Sequence, residues 1–341
     1  MKRVLSVLVL ATVTLSTVVG CRDAGNESAG RSGEASPSAA ADTSGLGTGS
    51  GTGTLDTDLD GATPTPDGAG ATTAPTGGDA AVEPFPTGVA EVVRTAVPVD
   101  RYHALFKQAV AAKYRPVWVD GYDVAGRTYF NVGFRPDPGA AWYEYTEMSA
   151  SGYQTRFDTL KGQGYRLIFV ESYLRGDQVR YAAIWEKSTG PAYYAFSHRS
   201  AAELQSIVDS KVKEGYLPAQ ISGVTVGGKT FFTGLLLKRS LGRSWVVRAE
   251  LTPASYQTLF NEMTGKGLGL AYVNAYTVNG SVRFVAMFAS TASTPFQARH
   301  NLTASTLASQ QATHTRAGYR TRGIAGYDVG GTANFIAVWA K

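Results

Sequence analysis

Large apolar side chains recur through the C-terminal three-quarters of the chain with a period of about 51 residues. A first anchor stands at Tyr114, Tyr165, Tyr216 and Tyr319, with Leu268 in the fourth copy. A second follows at Tyr122, Tyr173, Tyr276 and Tyr327, with Val224 in the third copy. A third falls at Phe134, Trp185, Leu236, Phe288 and Trp339. Three anchors in constant phase over five copies mark one supersecondary unit that is repeated and stacked.

Within a unit the apolar period changes. Tyr102/Leu105/Phe106/Ala109, Tyr153/Phe157/Leu160, Leu204/Ile207/Val208 and Tyr256/Leu259/Phe260/Met263 follow helical spacing. Ser149, Ser200, Thr252 and Thr303 stand in phase as N-caps. Glu203 completes a capping box with Ser200, and Pro253 suits a first turn. Gly164, Gly215, Gly267 and Gly318 stop the helices. Two strands follow. They are joined by Ala125-Gly126, Gly176-Asp177, Gly227-Gly228, Asn279-Gly280 or Gly330-Gly331, which are hairpin pairs suited to a turn with φ > 0 twice. The second strand alternates, with Phe130/Phe134, Tyr181/Trp185, Phe232/Leu236, Phe284/Phe288 and Phe335/Trp339 on the face expected to pack on the helices. A third strand is predicted from Trp142, Tyr193, Trp245 and Phe296.

This predicts an α+β domain of five tandem helix-strand-strand-strand units. They span about 98–148, 149–199, 200–251, 252–302 and 303–341, in a closed propeller-like ring or a curved open array. The fifth unit ends at Lys341 without a third strand. Residues 88–96, one period before Trp142, are predicted to supply it and so close the array and remove sheet edges.

Several of these motifs resemble the bacterial tandem repeat domain. They are Tyr114-Arg115-Pro116 with Gly121-Tyr122, Gly164-Tyr165-Arg166 with Trp185, and Gly318-Tyr319-Arg320 with Gly326-Tyr327 and Trp339. The resemblance covers residues 88–341. Leu217-Pro218 and Leu268-Gly269 depart from the pattern in the third and fourth units. In that family the repeat domain also stands at the N-terminus of fungal polyglycine hydrolases, beside a separate β-lactamase-like serine hydrolase domain for which this chain has no room. The resemblance implies the fold and a role in substrate or surface binding.

Composition divides the chain further. Lys2 and Arg3 precede an apolar run from Val4 to Val19, too short for a membrane span, so residues 1–20 read as an export signal. Val18-Val19-Gly20-Cys21 resembles the lipobox of bacterial lipoproteins, where the Cys is diacylglycerated and becomes the mature N-terminus. Cys21 is the single cysteine, so no internal disulfide can form, and lipidation would remove a lone thiol from an oxidising compartment. Acyl chains there would anchor the protein to a bacterial membrane, facing the exterior or periplasm. Residues 21–87 are rich in Gly, Ser, Thr, Ala, Pro and Asp and nearly free of large apolar side chains. They are expected to be a disordered linker with a reach of about 45 Å. Within the linker Asp56, Asp58, Asp60 and Asp67 match the spacing of a calcium loop, but Pro64 and Pro66 interrupt it and no amphipathic helix flanks it.

The formal charge of +5 is segregated. Arg22–Glu83 carries −8 and the N-terminus +2, which leaves the repeat domain +11. A basic body on an acidic leash favours anionic partners. No signature of a specific nucleic acid or of a cofactor is present.

Catalytic chemistry is sparse. His103, His198, His300 and His314 lie in different units and without ligand spacing. Ser210-Lys211-Val212-Lys213 fits a Ser-x-x-Lys string but falls in the last turn of a helix, away from the helix start where that chemistry is placed. Arg115, Arg166 and Arg320 repeat in phase just after the helices, so they decorate one rim and could grip an anionic polymer. They also suit a helix C-terminus electrostatically. The pattern therefore points to a non-catalytic, lipid-anchored surface protein that binds an anionic cell-wall polymer or another exported protein. The alternative is a serine-type or other hydrolase with its site on a rim.

Overall fold

The computed structural model describes residues 84–239, 244–292 and 295–341, together with the backbone of a short strand, β1 (Leu55–Thr57). The export signal, Cys21 and the rest of the linker lie outside the described residues. β1 pairs in parallel with Glu144–Thr146.

Five units follow, each in the order strand, helix, strand, strand. The first comprises β2 (Val92–Pro98), α1 (Val99–Ala111), β3 (Tyr114–Val124) and β4 (Arg127–Pro136). The second comprises β5 (Trp142–Met148), α2 (Ala150–Gly162), β6 (Arg166–Arg175) and β7 (Gln178–Glu186). The third comprises β8 (Tyr193–Arg199), α3 (Ala201–Lys213), β9 (Tyr216–Val226) and β10 (Lys229–Lys238). The fourth comprises β11 (Trp245–Leu251), α4 (Pro253–Gly265), β12 (Gly269–Val278) and β13 (Ser281–Ala289). The fifth comprises β14 (Phe296–Leu302), α5 (Ala304–Arg316), β15 (Arg320–Val329) and β16 (Thr332–Ala340). In each unit the last strand lies in the middle of a three-stranded antiparallel sheet, to which β1 adds a fourth, parallel strand in the second unit. The first and second strands flank it, so the helix is a crossover between parallel neighbours with one strand inserted between them.

The local signals act where the spacing puts them. The hydroxyls of Ser149, Ser200, Thr252 and Thr303 accept the N–H groups of Gly152, Glu203, Ser255 and Thr306, and the Ser200–Glu203 capping box is complete. The helices end at Gly164, Gly215, Gly267 and Gly318 with φ near +80°, a region costly for side chains. The first unit places Lys113 there at φ 64°. Asn279-Gly280 turns with φ of 48° and 74°, as its hairpin requires. The aromatic face of each central strand is fully buried under its helix: Tyr102 packs on Phe130 at 4.6 Å, Tyr153 on Tyr181 at 5.2 Å and Tyr256 on Phe284 at 5.1 Å.

One expectation is corrected. Residues 88–96 do not complete the fifth unit, because Val92 pairs with Phe134 and Pro98 with Tyr129, inside the first unit. The fifth unit owns β14, whose Phe296 pairs with Ala340. Each third strand therefore opens the next unit and pairs forward. A single sequence shows the phase of a repeat but not where the unit begins, and hydrogen-bond pairing decides that.

The five sheets stay separate, with no ladder from one to the next, and none closes on itself. The array nevertheless brings its ends together by side-chain packing. In the second, fourth and fifth units the second anchor tyrosine meets a phenylalanine of the unit before, edge to face: Tyr173 on Phe130 at 5.3 Å, Tyr276 on Phe232 at 6.0 Å and Tyr327 on Phe284 at 5.6 Å. Tyr122 of the first unit meets Phe335 of the fifth in the same way, at 5.8 Å. The rings also rest on backbone. A Cβ built at Gly121 would come within 2.5 Å of Tyr173, one at Gly223 within 2.5 Å of Tyr276, and one at Gly326 within 2.5 Å of Tyr122. The junction of fifth and first units thus repeats the others, and the second strands β3, β6, β9, β12 and β15 surround a common axis.

Candidate functional site: the axial funnel

The second strands face the axis with two positions each. The lower position holds Asp120, Glu171, Ser222, Asn274 and Ala325, two residues before the second anchor in every unit. Its polar side chains stitch neighbours together by accepting a backbone N–H of the preceding unit. Gly326 donates to Asp120 Oδ2 at 2.8 Å, Ser172 to Ser222 Oγ at 2.9 Å and Gly223 to Asn274 Oδ1 at 3.0 Å. Gly121 donates likewise to the Glu171 carboxylate. Sheet N–H groups buried at an interface need such acceptors. Ala325 alone offers none.

Asp120 and Glu171 are 4% and 3% exposed and hydrogen-bond each other. Burial pushes the Asp120 carboxyl up, against the lowering effect of the Gly326 N–H and Asn131 Nδ2. Burial and the Asp120 charge push Glu171 up further, partly opposed by the Gly121 N–H and Asn274. Burial is the largest cause of both shifts, so the pair favours its protonated forms more than ordinary carboxyls do.

Above this layer lies a funnel with a cavity volume of about 370 Å³, lined by all five second strands. The upper axial position carries Trp118, Phe169, Gln220, Tyr272 and Gly323. Gln220 is spent on structure: its amide accepts from Val170 N at 3.1 Å and donates to Ile168 O at 3.3 Å. The fifth unit thus contributes Gly323 and Ala325 where the others contribute a large residue and a polar acceptor. A Cβ built at Gly323 meets nothing within 4 Å, so the funnel widens toward β15. A second, smaller recess of about 60 Å³ lies on the far side of the acceptor layer, beside Tyr122, Tyr173 and Tyr276.

Three arginines stand at the wide side. Arg135 forks onto Glu91 Oε1 at 3.0 and 3.1 Å and donates to Thr321 O at 3.2 Å, while Glu91 Oε2 accepts from Thr321 N at 2.8 Å. This ties the first unit to the fifth. Arg322 donates to Leu270 O at 2.6 Å, and burial lowers its pKa. Arg320 is exposed at the mouth.

Of the three arginines singled out from the repeat, only Arg320 lines the funnel. Arg115 is mostly buried and pairs with Glu186 of the next unit at 2.5 Å. Arg166 donates to Pro191 O at 2.6 Å and lies over the Tyr193 ring at 5.9 Å. The histidines do not meet: His314 packs tilted against Trp339 at 4.5 Å, His198 stacks on Phe231 at 3.8 Å, and His300 bonds Gln257. Lys211 of the Ser-x-x-Lys string pairs with Glu214 at 2.9 Å. Among the described residues no group of three His, Cys, Asp or Glu could hold a metal. Of the calcium-type aspartates, Asp58, Asp60 and Asp67 lie outside the described residues, and Asp56 falls in β1, described by its backbone alone. Sequence reasoning missed Asp120, Glu171, Arg135 and Arg322. The first two had a signal, since polar residues at one repeat phase within apolar strands face something shared. The arginines had none, because neither stands at a repeated position.

The funnel and its five-unit frame coincide with five matches to the family model for a polyglycine hydrolase-like structural repeat, at residues 88–134, 139–188, 190–239, 242–291 and 293–341. Each match opens before the first strand of a unit, as the pairing does. The chain belongs to the polyglycine hydrolase-like structural repeat family, from residue 88 to residue 341.

Proposed function

We propose that this is a non-catalytic, lipid-anchored binding or scaffolding protein of the bacterial cell surface. Cys21 carries the anchor, residues 21–87 act as the leash, and the repeat domain engages an anionic cell-wall polymer or an anionic face of another exported protein. The observation that carries this reading is the basic mouth of the funnel, on a domain whose formal charge is +11. An exposed arginine beside a cavity, here Arg320, attracts polyanions and forks onto phosphate or carboxylate. The export signal and the lipobox-like Val18-Val19-Gly20-Cys21 support the location. The test is retention of the purified protein on isolated cell wall at low and at high salt. Retention lost at high salt and weakened by Arg320→Ala supports the reading, and absence of retention at low salt sinks it. Fatty-acid labelling of the wild type but not of Cys21→Ser would support the anchor.

A hydrolase is the second reading, favoured by one observation: a buried Asp120–Glu171 pair with raised pKa at the base of a cavity is a pattern found in acid–base sites. Against it, both carboxylates already accept backbone N–H groups that hold the units together. Peptide or ester hydrolysis by the purified domain, abolished by Glu171→Gln, would establish it.

A further inference from the structure

We infer that the axial funnel takes a short extended peptide with both ends free. Its C-terminal carboxylate would lie at Arg320 and Arg322, and its N-terminal ammonium at Asp120 and Glu171. This goes beyond the binding reading above, adding a second, smaller ligand class at the same site.

Three observations converge. First, the cavity is built by asymmetry. Four units fill the axis with Trp118, Phe169, Gln220 or Tyr272 above an acceptor, and the fifth leaves Gly323 and Ala325, with open space at the Gly323 Cβ position. A guest therefore has room on one side and aromatic wall on the other. Second, the two ends of that space differ in charge. Arg320 and Arg322 stand on β15 itself at the wide end. Arg135, beside them, is balanced by Glu91. At the closed end the Asp120 and Glu171 carboxyls line the cavity and hydrogen-bond each other, and burial pushes both pKa values up. An ammonium arriving there would donate to both carboxyls and favour their charged forms.

Third, the spacing selects length. Strands rise about 3.3 Å per residue, and the bulge between Thr321 and Gly323 removes one step, so the levels of Arg320 and Ala325 differ by about 13 Å. A free amino acid is too short to bridge this distance. An extended chain of three to four residues spans about 10–14 Å between its ends. A repeating polyanion satisfies the mouth but brings nothing to the acid pair.

The experiment is calorimetric titration of the full chain, solubilised in detergent, with trialanine and tetraalanine, each unblocked, N-acetylated or C-amidated. The unblocked peptides are expected to bind, and blocking either end to weaken binding about tenfold or more, as loss of a charged hydrogen bond does. Arg320→Ala should mimic amidation by removing sensitivity to the C-terminal block alone, a pattern that a folding defect would not produce. Gly323→Leu fills the empty space and should abolish binding at an unchanged melting temperature. No binding, or equal binding of blocked and unblocked peptides, overturns the inference. If that result comes with salt-sensitive retention on cell wall, the polyanion reading stands without it. Peptide binding without wall retention leaves the inference standing and removes the polyanion.

Discussion

The helix-covered faces of the five sheets and the axis they surround are built from the same repeat, yet they have diverged to different degrees. Under the helices every unit keeps the same arrangement: a large ring or leucine at the positions of Phe134, Trp185, Leu236, Phe288 and Trp339, all fully buried. At the axis the five copies read Asp120, Glu171, Ser222, Asn274 and Ala325, with Trp118, Phe169, Gln220, Tyr272 and Gly323 above them. Core positions are held alike because each helix poses the same packing problem five times. The axis is a single shared space, which five identical large side chains could not fill together. The difference separates what the fold needs from what one molecule uses once.

The largest effect should come from the repeated part. Trp185→Ala empties a fully buried site and is expected to cost about 3–5 kcal/mol by denaturant unfolding. A cost below about 1 kcal/mol would mean that the covered face is not the stabilising region. Next is the closure. Gly326→Val places atoms against the Tyr122 ring at the junction of fifth and first units, and overpacking of this kind costs about 1–3 kcal/mol. Gly121→Val, at an internal junction of the same geometry, should cost a similar amount. If only Gly121→Val destabilises, the ends of the array do not hold each other in solution.

A smaller, pH-dependent effect tests the acid pair. Burial raises the pKa of both carboxyls above that of unfolded ones, so the folded state binds more protons in the range between. Stability from this source is present below pH ~4, where carboxyls of the unfolded chain begin to ionise, and is lost as pH rises through the folded pKa, about 7 for Asp120. Asp120→Asn keeps an acceptor for the Gly326 N–H and should flatten this fall. An unchanged slope in pH-series unfolding would show that Asp120 ionises normally. Removing the Ser200 cap, as Ser200→Ala, should cost about 1 kcal/mol, because it affects one helix end on the surface. Arg320→Ala should leave the melting temperature unchanged, since the side chain is exposed at the mouth of the funnel.

Much of the unit was legible in the chain because its determinants are local. The caps at Ser149, Ser200, Thr252 and Thr303, the stops at the four glycines and the Asn279-Gly280 turn act within a few residues of themselves. The role of the second anchor was not legible. Tyr173 packs on Phe130 of the preceding unit while its hydroxyl accepts the N–H of Glu147, a residue at φ 61° in the kinked first strand of its own unit. Nothing adjacent to Tyr173 in sequence encodes either contact. The site was legible only at Arg320. Arg115 shares its repeat phase, yet Glu186 of the neighbouring unit neutralises it.

By itself the sequence determined the period, the helix ends, the hairpins and the aromatic faces, since each follows from backbone preference or from side-chain spacing along one segment. Only the tertiary structure decided where a unit begins, how the first unit meets the fifth, and which polar residues share the axis. Those outcomes depend on strands about 50 to 200 residues apart being brought side by side. Pairing energy and packing at such junctions belong to the assembled array, and no single repeat contains them.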